Sequence, residues 1–239
     1  MTIRMNNEIR QAEGGFNRAM QYLTDQILTH QVRPGTRLPS ERELAELIGV
    51  GRSAVREAIK VLQTQGIVTS QVGQAGGTTI GSAQGASFGR MLQLHMALEE
   101  ISHDELTETR VLLERAATEN AAATATDEAL EELRQLCEQM REASDTAAFN
   151  ELDTQFHVAI AQAAQNRLMR DLTIAIRQAV AAHILRAEQA LRNWDELQGR
   201  LVTEHLEIAE ALVARDPDRA ASLAEAHVRG AHAVLLTTT

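Results

Sequence analysis

Leu38-Pro39-Ser40-Glu41-Arg42-Glu43-Leu44-Ala45-Glu46-Leu47-Ile48-Gly49-Val50-Gly51-Arg52-Ser53-Ala54-Val55-Arg56-Glu57-Ala58-Ile59-Lys60 decides how the first part of the chain folds. Ser40 followed three residues later by Glu43 forms a capping box, so a helix begins at Glu41. Leu44, Leu47 and Ile48 recur at helical spacing, and Gly49 ends the helix. Past the Gly49-Val50-Gly51 turn, Ser53 is placed to cap a second helix with Val55, Ala58, Ile59 and Leu62 inward. Arg52, Ser53 and Arg56 then lie outward near its N-terminal end, where a recognition helix meets base edges. Arginine is the side chain suited to a bidentate contact with guanine O6 and N7. A helical hairpin with a solvated arginine face has the same local signature. Turn and arginines alone leave both readings open.

Working outward, a helix over about 16–30 precedes this pair, with Ala19, Leu23, Ile27 and Leu28 inward, followed by a Pro34-Gly35 turn. Gly66 closes the recognition helix as the residue after its cap. Ile67–Val72 and Thr78–Ile80 are short β-rich runs around Gly73-Gln74-Ala75-Gly76-Gly77, which reads as a hairpin with a glycine-rich tip. Residues 1–15 are polar and aperiodic and read as a mobile arm. Residues 16–81 read as one domain, a helix-turn-helix with a following hairpin that would be the wing of a winged helix-turn-helix, 82–87 as a linker of small polar residues, and 88–239 as a helical domain.

Net charge at first argues against nucleic acid, since 33 acidic residues outnumber 23 Lys and Arg. The imbalance is not uniform. Residues 1–81 carry 9 basic and 7 acidic side chains, and the remainder 14 and 26. The DNA-facing part is mildly basic and the acidic bulk lies elsewhere. Aromatics make up 3% of the chain, which favours helices packed with aliphatic side chains. The single cysteine, Cys137, excludes an intramolecular disulfide and fits a reducing cytoplasm. No run of 18 apolar residues exists and the N-terminus is polar, so neither a membrane span nor a signal peptide is expected.

From residue 88 the expected helices are 88–100, 103–124, 127–143, 146–164, 167–191, 194–214 and 217–236, an antiparallel all-helical bundle. Asp153 and His157 stand four apart and share a helix face. His205 and His227 sit on two later helices. Three histidines and a carboxylate suit Zn²⁺, Ni²⁺ or another borderline divalent ion. On spacing alone, an Asp-x₃-His pair is more commonly a surface ion pair.

Pro34-Gly35, the Leu-Pro-Ser-Glu-Arg-Glu-Leu-Ala run from Leu38, the Gly-Val-x-Arg-x-x-Val-Arg-Glu-Ala pattern and Leu62-x-x-x-Gly66-Ile67-Val68 together resemble the winged-helix domain of the GntR superfamily of bacterial transcription regulators. The wing departs from the commoner Gly-basic-Gly form, with Gln74-Ala75 at the basic position. The helical part is similar to the FCD effector domain of the FadR subfamily. That resemblance implies that Asp153, His157, His205 and His227 bind a metal beneath a ligand cavity, with zinc the expected ion and nickel an alternative. It also implies that Arg110 points into this cavity, where a small carboxylate effector would meet it. An ion pair with Glu114, one turn along, is the competing reading of Arg110.

The function this implies is a cytoplasmic, homodimeric, ligand-responsive repressor on a palindromic double-stranded operator. Arg52 and Arg56 are expected at bases, Arg42 at phosphate or a flanking base, Ser53 at phosphate and Gly73 at the backbone through the wing. The alternative is a regulator for which the metal ion is itself the effector. No activated nucleophile or general base accompanies the metal set, so an enzyme is not expected.

Overall fold

The computed structural model describes residues 14–71, 77–81, 86–98 and 101–235. Residues 1–13 of the expected arm, the wing tip with Gly73, and residues 82–85 of the expected linker lie outside them. Among the described residues are ten helices and one two-stranded sheet. The chain divides into two compact units between Ser87 and Phe88.

The first unit holds α1 (Gly15–Leu28), α2 (Glu41–Ile48), α3 (Arg52–Thr64), β1 (Val68–Gln71) and β2 (Gly77–Ile80). Ser40 and Glu43 exchange side-chain and backbone bonds in a full capping box that starts α2. Gly49 stops it with φ 72°, a left-handed geometry that glycine adopts without steric penalty. The α3 start differs from expectation. Gly51, not Ser53, is the residue before the helix, and Ser53 is its second helical residue without a capping bond. The extended Gly51 backbone already sets the entry direction, two residues earlier than a Ser53 cap would allow.

Leu23, Leu44, Val55, Ile59, Leu62, Val68 and Ile80 form the core between α1, α2, α3 and the sheet. Each such side chain stabilises the unit by roughly 1.5–3 kcal/mol relative to exposure. Leu28 and Leu47, both at helical spacing for the core, are 70% and 62% exposed. They fall one position off the buried stripe, which a 3.6-residue period rotates towards solvent. The strands pair antiparallel with Val68 opposite Ile80, and Arg37 bridges to Thr79 on the other side of β2. The wing is thereby tied to the segment that enters α2.

The second unit comprises α4 (Ala86–Ala97), α5 (His103–Thr124), α6 (Asp127–Arg141), α7 (Thr146–Ala163), α8 (Arg167–Ala190), α9 (Trp194–Val213) and α10 (Pro217–Leu235). The start of α4 lies inside the stretch read from sequence as linker. Side-chain caps from Ser102, Thr126, Asp145 and Asn166 start α5, α6, α7 and α8. The longest interface is α5 on α10. The buried residues of these two helices include many alanines (Ala117, Ala121, Ala122, Ala220, Ala224 and Ala231). Such small side chains let two helix backbones approach closely without large aromatic fillers. Arg215 donates to the carbonyls of Ala125 (2.8 Å) and Ala122 (3.2 Å), which satisfies the last turn of α5 and fixes the α9–α10 corner on it.

Replacing Ser40 with alanine should destabilise α2 by about 1 kcal/mol. Amide hydrogen exchange at Glu43 and Leu44 should accelerate, while amides in α9 keep their rates.

Candidate metal centre and nucleic-acid interface

On the first unit, Arg52, Ser53 and Arg56 emerge from the exposed face of α3, and Arg42 from that of α2. Arg42 lies 4.0 Å from Glu46, one turn along, with both side chains exposed. Arg56 is engaged more fully. Its Nε donates to both oxygens of Glu41 at 3.1 Å and its Nη2 to Oε2 at 2.7 Å. That bond and the Arg56 charge hold the Glu41 carboxyl below its ordinary range, so it stays ionised. Arg18 of α1 donates to the Ile48 carbonyl at 2.8 Å, so a guanidinium occupies the negative end of α2.

In the second unit, α7 supplies Asp153 and His157 one turn apart, α9 supplies His205 and α10 supplies His227. One ligand atom from each lies within 4.8 Å of all the others, and all four residues are buried. Asp153 Oδ1 is 3.1 Å from His205 Nε2 and 3.6 Å from His157 Nε2, and those two nitrogens are 3.4 Å apart. Other polar atoms of Asp153, His157 and His227 face outward onto supports. His157 Nδ1 lies 2.6 Å from Glu114 Oε2, and His227 Nδ1 donates to Glu204 Oε2 at 2.8 Å. Arg177 Nη2 donates to Asp153 Oδ2, leaving Oδ1 directed at the histidines. The edge of Phe156 packs against the His205 ring.

Desolvation, and then the neighbouring imidazoles, hold His205 and His227 well below the usual histidine range. Both are neutral near pH 7, the form that ligates metal. With their Nδ1 atoms turned to carboxylates, His157 and His227 direct Nε2 lone pairs towards the Asp153 carboxylate. These converging negative ends fit a cation. Three nitrogens, one oxygen and carboxylate supports match a borderline divalent ion such as zinc or nickel.

Arg110 is buried and its Nε donates to Glu114 Oε1. The ion pair with Glu114 is therefore present, and it lies against the metal-ligand set, because the other Glu114 oxygen faces His157. Burial alone would raise the Glu114 carboxyl, but Arg110, His157 and Arg177 outweigh it and hold it well below the usual range. A crevice lined by Arg110, Leu113, Glu114, Thr173 and Ile176 adjoins this cluster and is closed too tightly to admit a water molecule, so a ligand there requires the flanking helices to part. Thr173 Oγ1 and Arg177 Nη1, both buried, have no hydrogen-bond partner among the described residues.

Residues 105–230 match the FCD domain, and residues 16–80 match the bacterial regulatory proteins of the gntR family. The chain belongs to the GntR family. It is a transcription regulator with a FadR-type FCD domain rather than an enzyme. It is 29% identical over 216 residues to the HTH-type transcriptional repressor NanR of Enterobacter sp. (strain 638), covering 88% of this chain and 81% of that one. A solved Streptococcus agalactiae GntR is 27% identical with a TM-score of 0.59, covering 90% and 98% of the two chains. E. coli McbR/YncC, 20% identical, shares the fold with a TM-score of 0.52 over 93% and 97%.

Within this GntR-family chain, the sequence reading missed Arg177, Thr173 and Glu204, and it treated Glu114 only as a partner of Arg110. Each acts across helices, and no local spacing announces it. Farther along α8, Glu188 is buried beside Asn150, 3.5 Å away, and burial raises its carboxyl to about 7. A carboxyl with a folded value above its unfolded value stabilises the fold fully below the unfolded value. That contribution is lost as pH rises through about 7. Glu188→Gln should therefore flatten the decline in stability between about pH 5 and pH 7.5, as read by urea unfolding.

Proposed function

We propose that this regulator is a repressor which binds a palindromic operator as a homodimer and responds to a small carboxylate at a metal-containing cavity. Residues 16–81 serve as the DNA-reading domain and 88–239 as the effector-binding and dimerisation domain, working in the cytoplasm. Arg52 and Arg56 read bases, Arg42 and Ser53 contact phosphate or flanking positions, and Gly73 joins them through the wing on its sequence alone. The name of the NanR relative supports repression.

One observation carries the effector half. Four buried ligand-type side chains converge beside two buried arginines. Asp153, His157, His205 and His227 would hold the ion, which when bound supplies a Lewis-acidic point of attachment for an anion. Glu114 and Glu204 orient two of the imidazoles, and Arg177 orients Asp153. Arg110, Arg177 and Thr173 offer donors on the pocket side for a carboxylate in charge-assisted hydrogen bonds. An acid bound there ties α5 to α8. Its differential affinity for one arrangement of those helices is what would alter DNA binding, and by linkage operator DNA must oppose the acid equally.

A second reading follows from the donor count. Three histidines and one aspartate complete a four-coordinate site. An ion that accepts only those four has no open position, and its arrival would itself be the signal.

Thermal melts of metal-loaded and chelator-treated protein against small mono-, di- and hydroxy-carboxylates separate the readings. An acid at about 100 times its Kd should stabilise metal-loaded protein by roughly 2.7 kcal/mol. His157→Ala should abolish both the metal shift and the acid shift, whereas Arg110→Met should keep the first and lose the second. Metal stabilisation with no acid adding to it, together with a metal-dependent change in operator affinity, would leave the ion as effector.

A further inference from the structure

Arg56 can address DNA with only part of its guanidinium. The Nε–H and one Nη2–H form the side edge of that planar group, and both point at Glu41. The other edge, made by Nη1 and the second Nη2 hydrogen, makes no contact with Glu41. It carries two parallel donors at the spacing of guanine O6 and N7. Glu41 is the first residue of α2, and Arg56 lies on α3. The bond therefore spans the helix-turn-helix and ties the arginine's direction to the angle between its two helices. The Glu41 side chain is 31% exposed and the Arg56 side chain 51%, so the carboxylate is the more enclosed partner and the guanidinium projects past it.

We infer that Glu41 is a specificity-determining residue, a carboxylate that clamps the side edge of Arg56 so that only its end-on fork is presented to a guanine in each half-site. This rests on the proposed operator-reading role of Arg56 and adds a residue that touches no base itself. Two physical consequences separate a clamp from a surface ion pair. Holding the arginine in one rotamer reduces the conformational freedom it loses on docking, which sharpens the preference for the base that fits. The carboxylate also repels phosphate at every sequence alike, which lowers non-specific affinity. Both effects widen the gap between the correct site and all others.

The test is selection from a pool of random-sequence duplexes by the full-length chain, run in parallel for wild type, Glu41→Gln and Arg56→Lys at one salt concentration. Wild type should enrich a two-fold motif with guanine at one position of each half-site that Arg56→Lys loses. Glu41→Gln should weaken the preference at that same position by about three- to tenfold, a substantial part of what one bidentate arginine supplies. Its preferences elsewhere should be unchanged and its affinity for the unselected pool equal or higher. Retained binding to that pool and wild-type helicity by circular dichroism show that the variant is folded. If Glu41→Gln enriches the wild-type motif with the same strength at every position, the clamp is overturned while operator reading stands. A wild-type pool with no enriched motif overturns operator reading, and the clamp with it.

Discussion

Glu114 sits where three helices of the second unit, α5, α7 and α8, depend on one another. Its carboxylate accepts from Arg110 on its own helix, faces His157 on α7 and lies 3.9 Å from Arg177 on α8. His157 in turn faces the ligand atoms of α9 and α10. A buried carboxylate without cations would be severely unfavourable, and so would two buried guanidinium groups without anions. Each member is tolerated because the others are in place. The cluster therefore specifies how α5, α7 and α8 are registered more than it adds net stability, which the surrounding alanine, leucine and phenylalanine core supplies. A site formed this way stays polar and oriented within an otherwise apolar bundle.

The local devices were legible in the sequence, and the long-range ones were not. The Ser40–Glu43 capping box and Gly49 and Gly66 at helix ends all act over three or four residues, so each could be read from its own neighbourhood. Asp153 and His157 were readable as a pair for the same reason. Their convergence with His205 and His227 was not contained in spacing, and came from resemblance to a family. Arg177 had no such cue. Its partner Asp153 is 24 residues away, and an arginine on a long helix has the same local signature whether buried or solvated. Glu41 and Arg56, 15 residues apart, pose the same difficulty. Where reading from sequence went astray, at Ser53, Leu28 and Leu47, the error was one or two positions along a helix. That is enough to move a side chain from the buried face to the exposed one.

Two of the arginine–carboxylate contacts of this chain illustrate opposite uses of one chemistry. In the second unit, Arg177 and Asp153 are buried, and the guanidinium removes one carboxylate oxygen from competition so that the other faces the histidines. On the first unit, Glu41 and Arg56 are partly solvated, and the roles reverse: the carboxylate occupies one edge of the guanidinium so that the other faces outward. Solvent screening makes the exposed pair a weak source of stability. A pair worth little to folding can still matter to recognition, because specificity depends on a difference between bound states rather than on the total.

The uneven charge of the chain fits this division. Residues 82–239 carry the acidic excess, 26 acidic against 14 basic side chains, yet their buried site gathers two arginines around it. On the proposed reading, an anion in solution would meet a repulsive surface and be attracted only once inside the bundle, where low dielectric makes each charge–charge term larger. Such an arrangement disfavours loose surface binding of acids and leaves affinity to the few groups inside. On the first unit the near-balance of charge has the complementary effect. Phosphate attraction would be modest, so on the proposed dimeric reading the contacts of the reading helix decide where a protomer stays and a second copy makes the sum strong. Weak electrostatics at each half-site would then make the outcome sensitive to the spacing of two reading helices, which is the quantity the proposed ligand has to alter.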